Sequence, residues 1–124
     1  MKQKTITSSE ILAEVAVKGL QEVKGMDIVV MDLRKVVGAV ADFFIVCSGT
    51  SDKHVQALAN SAEEFARKDL QDKPISVEGY QKGEWVLVDF VDVVVHVFQR
   101  DKRKFFNIED LWADADFREI ENLY

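Results

Sequence analysis

Two β-branched runs stand almost back to back in this chain, Glu84-Trp-Val-Leu-Val-Asp89 and Asp92-Val-Val-Val-His-Val-Phe98, separated only by Phe90 and Val91. Alternating runs with so short a spacer constrain the chain to a β-hairpin. With Phe90-Val91 as the loop, Asp89 pairs with Asp92, Leu87 with Val94 and Trp85 with His96. One face then carries Trp85, Leu87, Asp89, Asp92, Val94, His96 and Phe98, and the other Val86, Val88, Val93, Val95 and Val97. The valine face is the one to bury under helices. The mixed face combines a large aromatic, a carboxylate pair and an imidazole, the makeup of an interface more than of a core. A tryptophan on a sheet is more often core than contact point, but these polar neighbours shift the balance. Two facing carboxylates repel unless a basic group meets them, which is weak evidence for a basic partner. The alternative is a longer, bulged loop that separates them.

Helical patterns supply the cover. Thr7 with Glu10 forms a capping box, followed by Ile11, Leu12, Val15, Leu20 and Val23 at helical spacing, and Gly25 is a natural stop. This predicts a helix over 8–24. Strands follow at 27–32 and, after a turn at Gly38, at 42–47. Thr50 or Ser51 caps a second helix with Val55, Leu58, Ala59, Ala62, Phe65, Ala66 and Leu70 on one face. Pro74 forbids its continuation, and 75–77 reads as a short strand. Residues 102–112 form a short last helix with Phe105, Ile108 and Trp112 roughly on one face. The result is an α+β domain: a mixed, roughly five-stranded sheet flanked by helices. One domain spans 1–124, with a core at about 8–112. Residues 113–124 form an acidic C-terminal extension in which Phe117, Ile120 and Leu123 either pack or stay mobile.

The net charge is −6, from 22 acidic and 16 basic side chains. Gripping phosphates over a broad face needs the opposite sign, so extensive direct nucleic-acid binding is not expected, whereas a basic protein partner is. No apolar stretch is long enough to span a bilayer and no signal peptide is visible, so no membrane role is expected. The single cysteine, Cys47, allows no internal disulfide and fits a cytoplasmic location.

Catalytic groups are incomplete. Gly49-Thr50-Ser51 before a helix is an outline of phosphate binding, and with Asp89 it frames a nucleotidyl or phosphoryl transferase as an alternative. Two-metal transfer needs converging carboxylates, and no Asp-x-Asp lies along one strand. Cys47 in an apolar strand reads as a buried thiol, and His54 as a capping or packing residue. Two histidines and one cysteine make a zinc site improbable. No catalytic residue, metal or cofactor is expected.

The stretch Asp42–Val55 (DFFIVCSGTSDKHV) together with Trp85–Trp112 (WVLVDFVDVVVHVFQRDKRKFFNIEDLW) resembles the ribosomal silencing factor family, also called RsfS or Iojap, and the likeness runs from about Glu10 to Trp112. The resemblance implies a nucleotidyltransferase-like fold without the catalytic carboxylates and a protein that is not an enzyme. It implies binding to the large ribosomal subunit through the basic ribosomal protein uL14, steric blocking of small-subunit association, and repression of translation under nutrient limitation. It also implies a homodimer when free; a dimerisation module without ribosome binding is a further alternative. The family's partner-facing residues correspond to Trp85, Asp89, Asp92 and His96, with Arg103, Phe106, Glu109 and Trp112 serving either the partner or the fold. Val91 stands where members commonly have glycine, and Phe106 replaces a usual tyrosine.

Overall fold

A computed structural model describes residues 8–123. Thr7 of the expected capping box lies outside them; Ser8 caps the first helix, its hydroxyl accepting from the Ile11 N–H at 3.1 Å. The chain runs α1 (Ser9–Glu22), β1 (Met26–Asp32), β2 (Phe43–Gly49), α2 (Asp52–Leu70), β3 (Ser76–Glu78), β4 (Trp85–Asp89), β5 (Val93–Gln99), α3 (Arg100–Phe106), α4 (Ile108–Leu111) and β6 (Asp116–Glu119). Ser51 caps α2 through the His54 N–H.

The six strands form one sheet in the order β3-β4-β5-β2-β1-β6, with β2 and β5 parallel at its centre and the other neighbours antiparallel. The sixth strand was not expected. It comes from the acidic tail, where 116–119 pairs with β1 and puts Phe117 opposite Met31. The tail's alternation is too short and too polar to mark a strand; pairing with β1 is what orders it.

Strict alternation divides the sheet into two apolar faces. Ile28 and Val30, Phe43 and Ile45, Val86 and Val88, and Val93, Val95 and Val97 pack with α1 and α2 in the larger core. Val29 and Met31, Phe44 and Val46, Val94 and Phe98 form a second cluster on the opposite face. The two long helices cross closely where Ser61 donates to the Gly19 carbonyl at 2.7 Å. A Cβ at Gly19 would lie 2.7 Å from the Ser61 carbonyl oxygen, so only glycine permits this approach. Gly25 does not itself take the helix-stop conformation, which falls to Lys24 at φ 62°. A Cβ on Gly25 would instead meet the Cys47 sulfur at 2.6 Å.

The hairpin differs from the expected register by two residues. Trp85 pairs with Phe98, Leu87 with His96 and Asp89 with Val94. Phe90 is the cause. It continues the alternation of Val86 and Val88 and is buried in the helix-side core, so the Phe90 N–H bonds to the Val93 carbonyl and the loop becomes Val91-Asp92. A shift of two keeps every other side chain on its face. Asp89 and Asp92 therefore do not face each other across the hairpin.

The displaced turn places Val91 at φ 79°, with the Asp92 N–H donating to the Phe90 carbonyl at 3.0 Å, a tight γ-type turn that a β-branched residue adopts only under strain. Such strain costs roughly 2 kcal/mol, and the extra freedom of glycine in the unfolded chain offsets up to ~1 kcal/mol of its relief. Val91→Gly is thus expected to stabilise the protein by about 1 kcal/mol, read as a higher urea midpoint; an unchanged or lower midpoint contradicts the strained turn.

Candidate functional site

The second face of the sheet is covered only by short pieces, and Trp85 sits where that cover ends. Its indole is half-buried, stacked on Phe98 with ring centroids 4.9 Å apart and against Phe106 of α3 at 4.7 Å. Its Nε1–H donates to Nδ1 of His96 at 3.2 Å. His96 is only 4% exposed and meets Phe44 at 4.6 Å between centroids. Phe44 in turn meets Trp112 edge-on at 5.9 Å. The site is therefore a chain of rings drawn from several elements, with the indole left partly exposed.

Burial holds the His96 imidazole down to about 4, so it is neutral near pH 7. Because Nδ1 accepts the indole hydrogen, the proton resides on Nε2, which has no hydrogen-bond partner among the described residues. His96 thus fixes the orientation of Trp85 and does not itself reach the surface. This revises the expectation that His96 faces a partner directly.

The two aspartates bracket the turn at the far end of the same strands. One oxygen of the half-buried Asp89 carboxylate accepts from the Val91 N–H at 2.8 Å and so holds the strained turn. Asp92 is exposed, and its carboxylate makes no hydrogen bond or ion pair among the described residues; only its backbone is used, its carbonyl accepting from Asp42 and Phe43. The pair is free of internal cations among the described residues. That leaves two negative charges beside the exposed Val91, at the opposite end of β4 from the indole.

Several donors that a phosphate would use at the start of α2 are engaged by the chain itself, the Lys53 N–H by the Asp52 carboxylate among them. The Thr50 N–H bonds to Nδ1 of His54 at 2.9 Å, whose Nε2 donates to the Val23 carbonyl at 2.7 Å, and the His54 N–H donates to Ser51 Oγ. Cys47 lies buried in β2, and burial pushes its thiol up to about 12, which leaves no thiolate near pH 7. Among the described residues no three His, Cys, Asp or Glu side chains converge in a metal-binding group, and no helix is long and apolar enough to cross a membrane.

Comparison with known proteins settles what kind of chain presents this surface. The profile of the family described as "Ribosomal silencing factor during starvation" matches residues 5–123. The chain belongs to the ribosomal silencing factor family. The ribosomal silencing factor RsfS of Halalkalibacterium halodurans is 39% identical over 119 residues, covering 94% of this chain and 97% of the relative. The RsfS of Bacillus subtilis is 38% identical over 111 residues, covering 89% and 92%. A crystal structure of a Chromobacterium violaceum protein superposes with a TM-score of 0.81 at 33% identity, covering 95% of this chain and 94% of that one. The family is a regulatory one, in keeping with the incomplete catalytic groups of the site.

Within this family member the sequence-predicted residues separate by location. Trp85, His96, Phe106 and Trp112 come together in the ring chain, and Asp89 and Asp92 at the turn. Arg103 and Glu109 are an internal clamp. The nearly buried guanidinium of Arg103 pairs with both Glu109 oxygens at 3.2 and 3.0 Å and donates to the Asp27 carbonyl and Ser48 Oγ. The expected single helix over 102–112 breaks at Asn107, φ 47°, and the clamp folds α4 back so that Ile108 is buried. Sequence reasoning missed Phe44. Its alternation with Phe43 put it on one face of β2, but only the parallel pairing of β2 with β5, Phe44 opposite Val94, brings it to His96.

The His96 environment has a consequence in acid. The unfolded chain protonates this histidine near its ordinary 6.5, whereas the folded protein resists protonation down to about 4. Unfolding therefore takes up a proton in that window, and stability falls as the pH drops through it. Between pH 7 and 4.5 the loss from this group is expected to be roughly 2–3 kcal/mol. Urea unfolding of wild type and His96→Phe at both pH values tests it: the variant should lose less by about that amount, and parallel losses contradict the assignment.

Proposed function

We propose that this chain silences ribosomes by docking its Trp85 face on ribosomal protein uL14 of the large subunit, where its bulk excludes the small subunit and lowers translation when nutrients are scarce. The single observation that carries this reading is a half-buried indole, oriented by a buried histidine, on the same strand pair as two aspartates without internal cations at its turn. Pre-ordered aromatic anchors concentrate binding energy because little freedom is lost on docking. Carboxylates without internal partners steer a basic protein and set its orientation. Family membership supports the silencing role. The chain acts in the cytoplasm in this reading. Free copies associate through the apolar side chains left uncovered beside the ring chain, among them Val37 and Leu111.

Asp92 is the clean probe, since Asp89 also holds the turn. Asp92→Lys is expected to leave the unfolding midpoint unchanged and to weaken co-sedimentation with isolated large subunits about tenfold, ~1.4 kcal/mol. Trp85→Ala is expected to weaken it by about 2 kcal/mol or more. It also costs roughly 3 kcal/mol of stability because the indole packs on Phe98 and Phe106, so it is assayed well below its melting temperature. Wild-type binding by a folded Asp92→Lys protein and a folded Trp85→Ala protein would contradict the docking reading.

A further inference from the structure

The docking face is electrically two-ended, and the second end does not suit a basic protein. Helix α3, Arg-Asp-Lys-Arg-Lys-Phe-Phe, concentrates cations in a chain of net charge −6. Arg103 turns inward to its clamp, but exposed Arg100 and Lys104 and half-exposed Lys102 form no ion pair among the described residues, against the single acid Asp101. Unpaired lysines occur elsewhere, but Arg34, Arg67, Arg103 and Arg118 each have a carboxylate partner, which leaves Arg100 as the one arginine without one among the described residues. Helix stability does not account for Arg100, which occupies the first position, where a helix favours anions. Phe105, 79% exposed, stands among these cations with its ring edge-on to Phe106 at 5.2 Å, and Phe106 lies on Trp85. The basic helix is thus continuous with the indole.

Strand β5 separates the two ends. Its seven residues, at ~3.3 Å each, put α3 about 20 Å from the aspartates at the turn. That exceeds the ~8 Å screening length at physiological salt, so each end meets its own partner charge independently. A basic protein seated on Asp92 and reaching the indole would be repelled by α3 if it extended further, over the helix itself. In a ribonucleoprotein partner the group that complements α3 is the phosphate backbone. We infer that α3 is an RNA-contacting element: Arg100, Lys102 and Lys104 meet phosphates of ribosomal RNA bordering the docked protein, and Phe105 offers its ring to an unpaired base. The contact is local, in keeping with the overall acidity. It rests on the docking reading above.

The test compares wild type with Arg100→Gln/Lys104→Gln, two exposed positions whose change should leave the unfolding midpoint in place. Binding to purified large subunits and to isolated uL14 is measured across a salt series. Removing one phosphate-facing cation should reduce the slope of log affinity against log salt by about one, so the variant's slope on large subunits should shrink by about two, and its affinity should fall about tenfold or more at ~0.1 M salt. Its binding to isolated uL14 should match wild type. A folded variant that binds large subunits with the wild-type slope overturns the inference while leaving the docking reading intact. Equal weakening on isolated uL14 also overturns it, because α3 would then touch protein. Failure of the wild type to bind large subunits removes both.

Discussion

Two long helices cover one face of a six-stranded sheet whose other face also carries an apolar cluster, and the incomplete cover of that second face is the constraint on which the site depends. On the helix side, Val86, Val88, Val93, Val95 and Val97 are fully buried. On the other side the cover is assembled from the 33–42 connection, α4 and the segment around Ala115, with α3 adding only the Phe106 ring over Trp85 and Phe98. Such short pieces have little stability of their own. Arg103 holds them: one guanidinium ties the α3–α4 corner to β1 through the Asp27 carbonyl and to β2 through Ser48. Where this patchwork ends, Trp85 is half-covered.

A half-covered indole becomes a usable anchor only if it is held still. Phe98 below it and Phe106 beside it fix the ring plane, and His96 fixes its edge through one hydrogen bond. The arrangement costs stability, since His96 keeps a buried N–H without a partner among the described residues and loses the option of protonation above about pH 4. Replacing the pair with aliphatics would give a simpler core but no oriented aromatic at the surface. The strained Val91 turn follows the same logic: burial of Phe90 outweighs the cost of a positive φ, and the turn presents Asp92 to solvent.

Much of this was legible in the sequence. The hairpin, its valine face and its mixed face follow from alternation in 84–98, and a two-residue slip could not disturb them because side-chain direction repeats every two residues. The register itself was not legible, because treating Phe90 as a loop residue ignored its place in the alternation of Val86 and Val88. The sixth strand escaped because β6 owes its order to pairing with β1. The break at Asn107 escaped because the pattern of Phe105, Ile108 and Trp112 suits one helix, and only the Arg103 clamp shows why the chain turns. His96 was placed on the right face, but exposure on a sheet face depends on what crosses it, which no local pattern reveals.

If this surface occupies the large subunit as proposed, the small subunit has no room to join. The decisive assay mixes isolated subunits at an ionic strength that favours joining, adds increasing amounts of the protein, and resolves joined from free particles on a sucrose gradient. The joined fraction should fall in step with the fraction of large subunits carrying the protein. An undiminished joined fraction when every large subunit carries it would rule out steric exclusion.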